Sequence, residues 1–379
     1  MVKVGLEILL ENELSTVSGK RVGLITTPTG VDSRLNSNVD LLLEHGVRVT
    51  ALFGPEHGVR GDAQAGESVQ SGKDPKTGLP VYSLYGPTKK PTKEMLDDVD
   101  VLIFDMQDVG CRYYTFLYTL AYAQEAAAEM GKEFVVLDRP NPLGGLIVEG
   151  NLVKGDFTSF VGGYSLPIRY GLTIGEFSLY LERYHGVGKK PKVIMLSGWK
   201  RGMYFGETAL PWVLPSPNIP TVDTAFVYPG TCLFEGTNLS EGRGTTKPFE
   251  IIGAPWLDGF ALADRLNSFE LPGVIFRPVF FTPTFSKHQG TGCQGVQLHI
   301  TDYDNFAPVR TALFLLSEVF KYQESRFLET NDHCFFDLLA GDKKVREKLT
   351  AKAGPQEIWE EMESENRSFV EKAKSILLY

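Results

Sequence analysis

Three polar strings stand directly behind three apolar runs, and together they carry the group types needed for acid–base chemistry. Leu52-Phe53-Gly54 leads into Pro55-Glu56-His57-Gly58. Val101-Leu102-Ile103-Phe104 leads into Asp105-Met106-Gln107-Asp108. Phe134-Val135-Val136-Leu137 leads into Asp138-Arg139-Pro140-Asn141. Ligands of open α/β sheets bind outside the carboxyl ends of the strands, so three neighbouring parallel strands would bring these tips to one cleft. A partly desolvated glutamate at such a tip can move a proton. Glu56 and His57 are therefore candidate catalytic groups. Asp62 follows in the glycine-rich string Arg60-Gly61-Asp62-Ala63-Gln64-Ala65-Gly66-Glu67, which suits a ligand loop. Asp105 and Gln107 fall on one side of an extended chain, Asp108 closes the turn, and Arg112 lies near the start of the next helix, where an anion is favoured. The competing reading is structural: Asp105 and Asp108 bind backbone amides and pair with Arg112. Asp138, Arg139 and Asn141 combine groups that bind a polyol through paired hydrogen bonds, and Arg169 with Tyr170 can join them.

The elements that must position these groups read as alternating strands and helices. Strands are expected at 21–26, 47–53, 99–105, 133–137 and 192–196, with helices at 38–45 and 114–130 between them. Thr173 with Glu176 three residues on is a capping box that opens a helix to His185. This order implies a mostly parallel sheet with helices on both faces. Residues 214–256 are dense in Pro, Gly, Asn and Thr and read as a long irregular, functional stretch. Beyond it come a strand at 295–300, a helix at 308–322 and shorter helices at 340–378. The fold class is α/β: a mostly parallel sheet domain over 1–225 and a second, smaller α/β domain over 226–379.

The bulk composition narrows the function classes. The 379 residues are 42% hydrophobic and 22% charged, with a formal charge of −9, which argues against a nucleic-acid partner. Cys111, Cys232, Cys293 and Cys334 form no CxxC pair, so a structural zinc site is not expected. Cys111 has no base nearby in sequence to make it a nucleophile. No run approaches the about 20 apolar residues of a membrane helix. The amino terminus lacks a signal core, so the chain as read is expected to be soluble and cytoplasmic, or secreted if a leader has been removed. The Gly-rich string at 240–246 does not fit a phosphate loop, no GxGxxG follows a strand, and HExxH and GxSxG are absent. No cofactor and no metal are expected, although Glu56, His57, Asp62, Asp105 and Asp108 would be the carboxylate and imidazole set for a divalent ion.

Longer strings go further. Phe53-Gly54-Pro55-Glu56-His57-Gly58 with Arg60-Gly61-Asp62 is one. Asp105-Met106-Gln107-Asp108-Val109-Gly110 with Arg112-Tyr113-Tyr114-Thr115 is another, followed by Asp138-Arg139-Pro140-Asn141-Pro142. Later come Tyr228-Pro229-Gly230-Thr231-Cys232-Leu233-Phe234-Glu235-Gly236-Thr237-Asn238 and Ser240-Glu241-Gly242-Arg243-Gly244-Thr245-Thr246. With these strings the chain resembles the YbbC/NamZ-like bacterial family, typified by exo-β-N-acetylmuramidases of peptidoglycan turnover, along most of its length. The resemblance implies a Rossmann-like N-terminal domain, a smaller C-terminal α/β domain with the active site in a cleft between them, and release of N-acetylmuramic acid from non-reducing ends of peptidoglycan fragments. It makes Glu56 the leading catalytic candidate, with a second acid drawn from Asp62, Asp105, Asp108 or Glu241. Candidate substrate-binding residues are Arg60, Gln107, Arg112, Tyr114, Asp138, Arg139, Asn141, Arg169, Glu235, Asn238, Glu241, Arg243 and Thr245. The lactyl carboxylate of the sugar calls for a pocket arginine from Arg60, Arg112, Arg169 or Arg243. The rival readings are a metal-dependent hydrolase using the same carboxylates and a muropeptide-binding protein without turnover. The sequence does not set the oligomeric state.

Overall fold

Side chains that alternate in direction along a strand must be covered on both faces, and the apolar runs of the first half meet that demand. The computed structural model describes residues 1–56, 58–61, 71–330 and 333–379. Its strands are β1 (Arg21–Thr26), β2 (Arg48–Gly54), β3 (Gly72–Lys73), β4 (Pro80–Ser83), β5 (Val101–Asp105), β6 (Glu133–Leu137) and β7 (Lys192–Ile194). These form one sheet in the order β3-β4-β2-β1-β5-β6-β7, parallel except for the short β3. Val101 and Ile103 join one core, with Val135, Leu137 and Leu24. Leu102 and Phe104 join the other, with Phe134, Val136 and Ile25. The first core is closed by helices Gly5–Asn12 and Asn38–Glu44 through Leu6, Leu9, Val39 and Leu42. The second is closed by helices Phe116–Glu129 and Ile174–His185 through Leu117, Leu120, Phe177 and Leu181.

The capping box forms as its spacing predicts. Thr173 Oγ1 accepts from Glu176 N at 3.2 Å, and Glu176 Oε2 accepts from Thr173 N at 3.0 Å. The helix then ends on Gly186 in the left-handed region, as a residue without Cβ allows.

The second half is built on a small antiparallel sheet of β8 (Ile251–Ala254), β9 (Val274–Phe281) and β10 (Cys293–Ile300), in the order β8-β10-β9. Helix Gly259–Asn267 packs on it, helix Pro308–Val319 packs on Gly259–Asn267, and helix Val222–Thr231 packs on Pro308–Val319. Gly230 makes that packing possible: a Cβ there would lie 2.0 Å from the carbonyl oxygen of Pro308. The stretch read as irregular, 214–256, therefore contains helix Val222–Thr231, a 3-10 segment Cys232–Gly236 and strand β8. Its Pro229 hid the helix from a reading based on breakers, yet the residue is buried within it. The carboxy-terminal region, expected as shorter helices, includes one helix of 19 residues, Pro355–Ala373. The larger core continues without interruption from Phe104 and Leu120 into Val227, Leu316 and Phe336, so both halves share it.

Candidate active site

The sheet order reverses between β1 and β5, the usual place for a ligand in this architecture. Here that crevice is filled. Asp105, at the tip of β5, accepts from Arg139 Nε at 2.7 Å and from Asn38 Nδ2 at 2.8 Å. Thr29 Oγ1 accepts from Gln107 N at 3.0 Å, and a void of only about 20 Å3 is left beside Arg139 and Gln107. A cleft of about 840 Å3 lies elsewhere, where the loop after β2 faces the second half of the chain.

Glu56 stands at the rim of that cleft. Its loop turns back at once, with Gly58 N donating to Pro55 O at 2.9 Å. Gly58 has φ 76°, and a Cβ on Gly54 would meet Val59 N at 2.9 Å, so both positions need glycine. Thr115, from the junction between β5 and helix Phe116–Glu129, donates its hydroxyl to Glu56 Oε2 at 2.7 Å. Tyr85, just beyond β4, brings its phenol into the same cleft. Burial first, and then the Glu56 charge, push that phenol up to about 12.

The opposite wall comes from the second half. Arg243 donates to Glu235 Oε1 from Nε at 3.0 Å and from Nη2 at 2.5 Å. Its Nε also lies 3.4 Å from Glu241 Oε1. Burial works against the Arg243 charge, but Glu235 and Glu241 outweigh it and hold the guanidinium above its ordinary pKa. Lys287 completes this wall, with Nζ donating to Glu241 Oε2 at 2.9 Å, Phe234 O at 2.8 Å and Leu239 O at 3.0 Å. All three ammonium donors are thus spent within the protein. The backbone here is unusual. Ser286 and His288, on either side of Lys287, have φ 68° and 58°, and Phe249, whose ring lies 5.0 Å from the Arg243 guanidinium, has φ 62°. Such conformations are costly for residues with a side chain and cluster at working sites.

The candidates drawn from the sequence separate into two groups. Glu56, Glu235, Glu241 and Arg243 line the cleft. His57 and Asp62 lie outside the described residues. Tyr114 is buried close beneath: burial and then the Glu56 charge raise its phenol well above the usual range, and its hydroxyl has no hydrogen-bond partner among the described residues. The others hold the scaffold. Asp105 is fully buried against Arg139, not Arg112. Asp108 accepts from the Tyr170 phenol and from Gly110 N at 2.7 Å, and burial lifts its carboxyl to about 6 against those bonds. Gln107 donates to Asp108 O and Pro140 O, at 2.7 and 2.8 Å. Arg112 does not wait for an anion: it donates to the carbonyls of Asn151, Leu166, Leu339 and Ala340 at 2.6 to 2.9 Å. The last two close the carboxyl end of helix Phe335–Ala340, where a cation is favourable. Asp138 anchors the helix opened by Thr173, accepting from Thr173 Oγ1 at 2.7 Å, Gly175 N at 2.8 Å and the Tyr379 phenol at 2.7 Å. Burial lifts its carboxyl to about 7, against those bonds.

Asn141 spans Leu172 O and Leu143 N, and the fully buried Arg169 donates to Leu143 O. Arg60 pairs with the buried Asp74 at 2.6 Å. Asn238 ties Glu324 O to Arg326 N, and Thr245 bonds Gly242 O. Sequence reasoning missed Tyr85 and Lys287 as cleft groups, and had Thr115 only inside a longer string. Nothing local marks Tyr85 or Lys287. Thr115 fell inside the helix expected over 114–130, and the structure starts that helix at Phe116. Among the described residues, no group of three His, Cys, Asp or Glu side chains is placed to hold a metal ion.

Comparison with known proteins matches this architecture along its whole length. The family described as exo-β-N-acetylmuramidase NamZ, N-terminal, matches residues 22–223, and its C-terminal counterpart matches 226–379. The changeover falls within helix Val222–Thr231. The peptidoglycan β-N-acetylmuramidase NamZ of Bacillus subtilis (strain 168) is 51% identical over 381 residues, covering 100% of this chain and 91% of that protein. Two crystal structures of DUF1343 family proteins from Bacteroides fragilis NCTC 9343 are similar. One has a TM-score of 0.91 at 42% identity and the other 0.78 at 29%, each covering 100% of this chain and 99% of the other.

Proposed function

The chain belongs to the exo-β-N-acetylmuramidase NamZ family, and from that premise we propose that its cleft binds the non-reducing end of a peptidoglycan fragment and that Glu56 acts on the glycosidic bond there. The protein is a glycosidase that releases N-acetylmuramic acid in peptidoglycan turnover. Its two units, 1–225 and 226–379, face each other across the cleft. The observation that carries the role of Glu56 is its position: it lines the cleft on the loop that leaves a strand tip of the parallel sheet. Hydrolysis through an oxocarbenium-like centre needs such a carboxyl group beside the scissile oxygen.

The lactyl carboxylate of N-acetylmuramic acid needs a cation with donors to spare. Arg112 and Arg169 are fully buried, Arg60 is not among the residues that line the cleft, and Lys287 has no donor left. Arg243 has five donors, and its bonds to Glu235 use two of them. Arg243 is therefore the residue that receives the lactyl carboxylate. Among the described residues no helix is long and apolar enough to cross a membrane.

The test is hydrolysis of a chromogenic β-N-acetylmuraminide by wild type and Glu56→Gln, with and without chelator. Turnover that survives the chelator and is lost in Glu56→Gln supports the reading. Turnover that the chelator abolishes and a divalent ion restores would replace it with a metal-dependent reaction.

A further inference from the structure

Resting on the reading of Glu56 given above, we propose that Thr115 and Tyr85 are positioning residues that tether the Glu56 carboxylate from two separate loops of the parallel sheet. A glutamate has three rotatable side-chain bonds, and Glu56 sits on a tight loop at the edge of an open cleft. Left alone, its carboxylate would sample many rotamers, and a misplacement of about 1 Å can cost about 100-fold in rate.

Thr115 shows the first half of the tether. It occupies the position before helix Phe116–Glu129 where a threonine ordinarily accepts an N–H of the first turn. It makes no such cap bond. Its φ of −67° and ψ of −14° are already helical, and its hydroxyl is turned away to donate to Glu56 Oε2 at 2.7 Å. The capping contribution has been given up in favour of a charge-assisted bond to the glutamate. The donor cannot drift, because the helix behind it is buried at Phe116, Leu117, Leu120 and Ala121. The helix amino terminus adds a favourable field for a carboxylate.

Tyr85 supplies the second half. Its backbone is pinned to Ser83, whose Oγ donates to Tyr85 O at 3.1 Å and accepts from Tyr85 N at 3.3 Å. Its ring stands 6.2 Å from Phe160. Its phenol is pushed up to about 12 by burial and by the Glu56 carboxylate, so at neutral pH it keeps its proton and can donate. Thr115, from the stretch after β5, thus holds a carboxylate from the loop after β2, and Tyr85, from the loop after β4, lines the cleft beside it.

The experiment combines kinetics with a titration that does not depend on turnover. Protein labelled at glutamate 13Cδ is titrated by NMR, with the Glu56 resonance assigned by its loss in Glu56→Gln. Thr115→Val, Thr115→Ser and Tyr85→Phe are compared with wild type. Removing a donor to the charged form disfavours that form, so the Glu56 midpoint moves upward in Thr115→Val and Tyr85→Phe and returns toward wild type in Thr115→Ser. On the β-N-acetylmuraminide, Thr115→Val loses about 10- to 100-fold in kcat with KM little changed, and Thr115→Ser recovers most of it. Midpoints that stay at the wild-type value in both Thr115→Val and Tyr85→Phe overturn the tether, whatever the kinetics. If wild type does not turn over the muraminide, the glycosidase reading fails, and the titration still decides the tether.

Discussion

Replacing Asp105 by asparagine should unfold the protein earlier rather than remove a catalytic group. Asp105 is fully buried, and both its oxygens accept: Oδ1 from Arg139 Nε at 2.7 Å, Oδ2 from Asn38 Nδ2 at 2.8 Å. An asparagine amide has one oxygen and one NH2 group. With its NH2 toward Arg139 it sets donor against donor, and with its oxygen there Asn38 must turn its own amide over to accept. It also leaves the Arg139 guanidinium, 5% exposed, without its counter-charge. Breaking a buried pair from one side costs about 3–5 kcal/mol. With about 2.1 cal/mol/K of unfolding entropy per residue, the 379 residues give about 0.8 kcal/mol/K, so a loss of about 4 kcal/mol lowers Tm by about 5 °C. Differential scanning calorimetry on Asp105→Asn, beside Glu56→Gln, reads this directly. Glu56→Gln, at the cleft rim, should keep a Tm within about 1 °C of wild type and lose turnover. The reasoning is refuted if Asp105→Asn keeps Tm within about 1 °C of wild type and turnover disappears. Asp105 would then be acting on substrate and not on Arg139.

The stability contribution of Asp108 should depend on pH with a defined sign. Its folded-state carboxyl is raised to about 6 by burial, above the ordinary 3.8, so the folded state holds the proton more tightly and stability falls as pH rises through that window. Asp108→Asn mimics the protonated form, and its Tm deficit relative to wild type should be larger at pH 4 than at pH 7; an equal deficit at both would contradict the raised value. Arg243→Met should reduce the preference for a β-N-acetylmuraminide over the β-N-acetylglucosaminide, which lacks the lactyl carboxylate, by about 10- to 100-fold in kcat/KM. An unchanged ratio would remove Arg243 as the carboxylate receptor.

Much of the first half was legible because its signals are local. The runs at Val101 and Phe134 have the length and β-branched content of strands covered on both faces, and Thr173 with Glu176 states where a helix begins. The 214–256 stretch misled because Pro229 and several glycines mark breaks in isolation, while here they allow close helix packing, as Gly230 against Pro308 shows. The same distinction runs through the site. The resemblance picked out Glu56, Glu235, Glu241 and Arg243, all of which line the cleft. The residue types at and after the strand tips also drew in Asp105, Asp108, Arg112, Asp138 and Arg169, which the fold has buried.

The amino-acid sequence by itself determined the α/β class, the strand tips that carry charge, and the family, whose resemblance makes Glu56 the leading candidate. Those properties depend on residue type and on spacings of a few residues. Only the tertiary structure decided which charged groups face a ligand and which are consumed inside. Arg112 is spent on carbonyls of Leu339 and Ala340, Asp105 on Arg139, and Lys287 on Glu241, partners separated by 227, 228, 34 and 46 positions along the chain. A buried charge must find a partner or change its protonation, and the partner is chosen by packing in three dimensions. The type of a residue states how strongly it needs compensation. Where that compensation comes from, and hence whether the residue remains free to do chemistry, is settled only when distant segments meet.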